Sequence, residues 1–485
     1  MDKIKNFLLT NTNTKQTIIK NTIWLGVGEI TSRLLKVAVI FYAIKILGSS
    51  GWGVFSYAIS LLSLFMVLSD VGISSLLTRE VSKNNPEEKD KYIATSFILK
   101  ISLTIIGLIA ILIFAPLLAT ENLSNTIIFL VSLILVFDSL REFIFALNRG
   151  MEKMESEVSV KIITSLLLII FTYIFLIKYQ NVYALALGYA LGSFVGFVYA
   201  FTLFKKYFKN IFKNFSKDIV KPILINAWPF AFFTVLGAIM MNTDSVMLGL
   251  MKNESEVGFY ATSQRIILFL YMIPTLISNS LLPSLSKQLT NPEEIKNITT
   301  SALRFINMLI IPTVLGFLIL GTDIIVKLFG FEYEPTGNIL KISSLSILFI
   351  FPALIMNSII FIFNKHKNIV LITVIGTILN ILINAFLIPK HGAIGASIAT
   401  LISQFTIFFL MKKELNKIVQ INIFGKLHKI LFASVLAGIL MLSLKTLSVD
   451  VILNILISGI LYLVLLFIMK EDIFNKLRRN IKNES

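Results

Sequence analysis

Glu29, Arg33 and Lys36 stand four and three residues apart in a stretch that is otherwise apolar, so on a helix they share one face. Arginine offers a planar fork of donors and lysine a point charge, which are the two chemistries that hold a diphosphate. Arg141 and Arg265 stand in similarly apolar surroundings, and with Arg33 and Lys36 they form the candidate anion-binding set. Carboxylates accompany these cations at Glu29, Asp70, Asp138 and Glu142. A carboxylate beside an arginine can trade that partner for a proton or sodium when an anion arrives, so these four are candidates for ion coupling. Glu29 comes first among them, one helical turn from Arg33. A competing reading is that Glu29 with Arg33, and Asp138 or Glu142 with Arg141, only neutralise each other to hold helices together. The chain has no cysteine, and His366, His391 and His428 sit in or beside loops without partners at a ligand spacing, so no metal and no cofactor is expected. No GxxxxGK[ST] phosphate loop occurs, which points away from nucleotide-driven chemistry.

The elements that carry these charges must lie in a bilayer. Hydrophobic residues make up 56% of the chain, charged residues 15%, and the mean hydropathy is +0.85, which a soluble core with a polar surface does not reach. A spanning helix needs about 20 mostly apolar residues. Such stretches read at about 22–47, 53–77, 95–119, 126–147, 160–177, 182–204, 222–250, 258–285, 302–320, 340–363, 368–388, 393–411, 429–446 and 450–469. The apolar run Phe7 to Leu9 is too short for a signal peptide, so the first of these stretches is expected to start insertion. Of the 44 Lys and Arg residues, 32 fall in alternate connections and only 6 in the others, as the positive-inside rule expects for a multi-pass protein with both termini cytoplasmic. The net charge of +17 therefore reports topology rather than nucleic-acid binding. Each charge within a span costs about 2.5–3.5 kcal/mol on insertion scales, so such charges are expected to face a cavity or a partner. Lys45 and Lys100 are exceptions, close enough to span ends to snorkel.

Internal symmetry divides the chain. Leu47-Gly48 followed by Gly53-Val54-Phe55 matches Leu248-Gly249 followed by Gly258-Phe259-Tyr260, and Asn85-Pro86-Glu87-Glu88 recurs as Asn291-Pro292-Glu293-Glu294. The expected fold is an all-α integral membrane protein of about fourteen transmembrane helices, in two parallel-repeat six-helix lobes with an added C-terminal pair. The lobes are 1–204 and 222–411, the linker is 205–221, and 412–485 holds the last two helices and a basic tail. Two like lobes around a midplane site are the architecture of alternating-access transporters. In the linker, Phe204, Phe208, Phe212, Phe215 and Ile219 recur among six lysines, the pattern of an amphipathic helix on the inner leaflet, attracted by anionic headgroups. Pro229, Pro274, Pro312 and Pro352 fall inside spans, where they bend helices as hinges or as static curvature. The longest outside connection reads as Gly321 to Lys341.

The run Asp244-Ser245-Val246-Met247-Leu248-Gly249, continuing through Gly258, Tyr260 and Arg265, resembles a signature of the oligosaccharide flippases in the MATE-like multidrug/oligosaccharidyl-lipid/polysaccharide exporter superfamily. Ile388-Pro389-Lys390-His391-Gly392-Ala393-Ile394-Gly395 is similar to a second such signature. The resemblance implies a non-enzymatic transporter of the cytoplasmic membrane that moves undecaprenyl-diphosphate-linked oligosaccharide for cell-envelope polysaccharide synthesis. It also implies a polymerase or glycosyltransferases as neighbours, and a groove for the lipid tail bordered by the last helix pair. A lipid II flippase or a multidrug cation antiporter of the same superfamily is the alternative. A membrane polymerase or glycosyltransferase fits less well, because the first outside loop, Gly48 to Gly53, has no carboxylate. Asp244 stands near the outer end of its span, where a structural cap competes with a site role.

Overall fold

The computed structural model describes residues 14–83, 86–286, 288, 291–421, 425 and 427–471, and all regular structure among them is helical. Helices suit these apolar stretches because each closes its own backbone hydrogen bonds, which hydrocarbon cannot do for it. The chain forms two compact units, Met1–Gly258 and Phe259–Ser485.

The first unit contains α1 (Thr14–Met66), α2 (Ile73–Lys83), α3 (Pro86–Phe114), α4 (Asn125–Gly150), α5 (Met154–Tyr179), α6 (Val182–Phe208), the short α7 (Ile211–Asn214), α8 (Val220–Met251) and the start of α9 (Glu254–Leu270). Its core joins Ile73, Leu77 and Val81 of α2 to Phe143 and Leu147 of α4, Phe204 of α6 and Ile223 and Ala227 of α8. Gly188, Gly192 and Gly196, one per turn, let α6 lie directly on Thr172, Leu168 and Thr164 of α5. The repeated glycine motif supplies another close approach. A Cβ on Gly53 would collide with the Glu254 carbonyl, one on Gly258 with the Ser49 carbonyl, and each glycine also lies against the other's backbone nitrogen.

The second unit contains the rest of α9, α10 (Met272–Ser286), α11 (Pro292–Phe329), α12 (Glu334–Ile362), α13 (His366–Asn416), α14 (His428–Thr446) and α15 (Val451–Ile468). Met308 of α11 packs with Ile430, Ala433 and Ala437 of α14 and with Tyr462 and Leu466 of α15. Pro312 has no N–H for the Met308 carbonyl four residues back. The Tyr462 hydroxyl supplies the missing donor at 2.6 Å, tying α15 to the α11 bend. Just beyond α15, the buried Glu471 carboxylate pairs with Arg304 of α11.

Among the described residues, eleven helical segments are long and apolar enough to cross a bilayer. At 53 and 51 residues, α1 and α13 each exceed two crossings' worth of about 20 residues. Each is broken at a glycine, Gly48 (φ 66°) or Gly392 (φ 54°), in a backbone region that side chains disfavour. The 26-residue α4 is of spanning length but carries Asp138, Arg141, Glu142 and Arg149.

Three expectations change. The 258–285 stretch is two helices interrupted at Tyr271, with Pro274 in the first turn of α10, where its missing N–H has no helical role. The connection expected at Gly321 to Lys341 shrinks to Gly330–Tyr333, because α11 runs on to Phe329. Asp323 and Lys327, polar enough to suggest a loop, pair instead with Lys445 at 2.6 Å and Asp450 at 2.8 Å. The linker is not one amphipathic helix. Phe204 is buried and Phe208 packs on Phe97 and Phe201 as part of α6, while Phe212 on α7, at 91%, and Phe215 beyond it are exposed. The apolar faces of α3, α5 and α15, including Ile106, Ile109, Ile174, Ile460 and Phe467, are exposed, as lipid contact requires.

Candidate functional site

The first unit gathers the charges. On α1 the Arg33 Nε donates to Glu29 Oε1 at 2.7 Å, and both side chains stay accessible, at 38% and 41%. Gly28 brings α1 so close to α5 that a Cβ would strike the Val158 side chain. That approach sets the Lys161 Nζ of α5 3.7 Å from the second Glu29 oxygen and 2.9 Å from Glu157 Oε1. Glu157 is fully buried, and Arg149 of α4 grips it with two bonds of 2.7 and 2.9 Å. Arg149 also reaches Glu142 at 3.0 Å. Ion pairs thus run from Arg33 through Glu29, Lys161, Glu157 and Arg149 to Glu142, across α1, α5 and α4.

One further turn along α1, Lys36 is exposed and is in no ion pair among the described residues. The charges acting on it are Asp138, Arg141, Glu29 and Lys161. On α4, Arg141 donates to Asp138 at 2.7 Å and approaches the Ser193 carbonyl at 3.5 Å. Asp70 lies outside a regular helix, between α1 and α2, where it accepts from the Ser74 N–H at 2.9 Å and pairs with Lys100 at 3.1 Å. Lys100 is 1% exposed and does not snorkel; the reason is its buried ion pair. Arg265 of α9 is half-buried in the second unit.

The structure therefore brings together Glu29, Arg33, Lys36, Asp138 and Arg141, and adds Arg149, Glu157 and Lys161, which fall between or at the edge of the stretches read at 126–147 and 160–177. The one clue to them was the four-residue Glu157–Lys161 spacing. Arg33, Lys36, Lys100, Arg141, Arg149 and Lys161 face Glu29, Asp70, Asp138, Glu142 and Glu157, an excess of one cation. Apart from Lys36 these cations are already paired, so an anion that takes Arg33 or Arg141 displaces a carboxylate.

The signature residues serve packing. Asp244 and Tyr260 are buried. Gly249 lies against the Tyr57 ring, and Gly395 against the Leu387 carbonyl across the Gly392 break. No cluster of His, Cys, Asp or Glu able to hold a metal occurs among the described residues. Outside the spans, a hydrogen bond from Lys327 holds the Asp450 carboxyl below its usual range, and Asp450 caps α15 through the Ile452 N–H.

In the second unit, α11, α14 and α15 enclose an apolar groove of about 570 Å³. Leu309, Leu315, Phe317, Ile455, Leu456 and Leu463 line it, with Thr313, Ser434, Ser458 and Tyr462 as its polar residues.

An all-helical bundle with lipid-exposed apolar faces and an ionised interior defines a multi-pass integral membrane protein of the transporter class. Over residues 18–289 the chain matches the family described as "Polysaccharide biosynthesis protein", and it belongs to that family. It is 26% identical to the capsular polysaccharide biosynthesis protein CapF of Staphylococcus aureus, over 80% of this chain and 96% of that one. A Shigella flexneri protein named for O-antigen transport is 23% identical, over 79% of this chain and 94% of its own. Among solved structures, the lipid II flippase MurJ in an inward closed conformation has the same fold, with a TM-score of 0.75 at 18% identity, covering 93% of this chain and all of that one.

Proposed function

We propose that the chain carries an undecaprenyl-diphosphate-linked oligosaccharide from the inner to the outer leaflet of the cytoplasmic membrane, through alternating access of two six-helix lobes. The observation that carries this reading is the apolar groove on α11, α14 and α15. A soluble glycan or a free ion gains nothing from such a surface, whereas a lipid tail can pack along it through van der Waals contact. In the first unit Arg33, Lys36 and Arg141 take the diphosphate, and Glu29 and Asp138 are the carboxylates it displaces from Arg33 and Arg141; Arg265 is a separate candidate ligand in the second unit. The capsular and O-antigen names of the relatives support a polysaccharide precursor as cargo.

Reconstitution into liposomes with undecaprenyl diphosphate bearing a labelled sugar tests the reading, with an impermeant glycosidase reporting arrival in the far leaflet. Protein-containing vesicles are expected to expose the label faster than empty ones. Arg33→Ala and Arg265→Ala should each slow exposure by about tenfold or more, with lysine restoring only part because the fork is lost. Vesicles that expose the sugar no faster than empty ones, yet accumulate a cationic dye against a proton gradient, would favour the multidrug antiporter instead.

A further inference from the structure

Arg33 is already engaged: Glu29 Oε1 holds its Nε at 2.7 Å. For a diphosphate to take that guanidinium, Glu29 must give it up, and an abandoned carboxylate in a span is costly unless it is protonated or finds another cation. The second Glu29 oxygen already faces one, since Lys161 Nζ is 3.7 Å away, too far for a hydrogen bond but within a small side-chain movement of one. Lys161 can accept this second carboxylate because its present partner, Glu157, keeps another cation. Both Glu157 oxygens are held by Arg149, a guanidinium that Glu157 shares with Glu142 when the Lys161 ammonium turns toward Glu29.

We propose that Lys161 is a positioning residue for cargo binding: it receives Glu29 when the diphosphate takes Arg33, so that headgroup entry is an exchange of ion-pair partners needing no proton. Lys161 acts through Glu29 and does not touch the cargo. The groups around Glu29 fit this role from each side. Arg33 and Lys36 lie on its own helix and Lys161 on α5, while Asp138 and Arg141 of α4 act on Lys36. The Phe145 ring of α4 lies 5.6 Å from the Lys161 ammonium, and Glu142 of α4 also feels that cation. Close packing of α1 on α5 at Gly28 keeps the two charges in register. The inference rests on Arg33 as a headgroup ligand, and the test separates the two claims.

The probe is farnesyl diphosphate, titrated calorimetrically into the full chain in lipid nanodiscs. Near neutral pH, Lys161→Gln should weaken binding by about tenfold, since Glu29 is then left with only Lys36, a cation that the diphosphate itself takes. At a pH low enough to protonate Glu29 its binding should recover, because the neutral carboxyl releases Arg33 unaided. The double variant Glu29→Gln/Lys161→Gln should bind well at both pH values, which also excludes misfolding as the cause of the single-variant defect. Normal binding by Lys161→Gln at neutral pH would overturn the exchange. So would a double variant as weak as the single one, since Lys161 would then be a direct ligand or a structural prop. Normal binding by Arg33→Ala would instead overturn the headgroup assignment itself.

Discussion

Lys100 shows what a single residue demands of this interior. Its ammonium is buried and meets Asp70 at 3.1 Å, in electrostatic reach of Glu142. Lys100→Met should cost about 3–5 kcal/mol, because Asp70 would remain charged without a cation. Melting of the detergent-solubilised protein should fall accordingly, and Lys100→Met/Asp70→Asn should regain most of the loss. Sequence spacing exposed the Glu29, Arg33 and Lys36 face because all three lie on one uninterrupted helix. Lys100 and Arg149 were hidden for a shared reason: each stands near a span end, where position in the sequence cannot separate a side chain reaching water from one turned inward. Their partners come from other helices, and no sequence interval connects Lys100 to Asp70 or Arg149 to Glu157.

At the scale of elements, Pro312 illustrates how a bend legible in the sequence acquires its meaning only from a neighbour. The proline predicted a gap in the α11 ladder, but nothing around it named Tyr462, 150 positions on, as the donor to the orphaned Met308 carbonyl. Tyr462→Phe should destabilise the protein by about 1–3 kcal/mol through that unpaired acceptor. Adding Pro312→Ala restores an N–H at the bend and should recover the loss, as a thermal melt of the four variants would show. The apolar stretches themselves were readable, since length and hydropathy suffice for a helix in a bilayer. So were the breaks at Gly48 and Gly392, which fall between the stretches ending at 47 and 388 and the ones that follow; the interruption at Tyr271 was not, and the charges of Asp323 and Lys327 mimicked a loop that ion pairs had turned into helix.

For the whole molecule, the alternation of basic connections predicts a cytoplasmic linker and an outward-facing turn at Gly330–Tyr333. The absence of cysteine makes this directly measurable. A single cysteine at Asn210 should resist an impermeant thiol reagent in intact cells, and one at the exposed Phe331 should react. The reverse pattern would invert the orientation. The meeting of Gly53 with Gly258 has a different consequence. If the two glycine motifs descend from one duplicated segment, equivalent points of the two copies touch, and a half-length ancestor would have met its own twin through the same residue. Such a contact is isologous, so a single glycine would have served both sides of a homodimer before fusion. After fusion the two positions are free to diverge, yet both remain glycine here, because backbone packed on backbone leaves neither side room for a side chain.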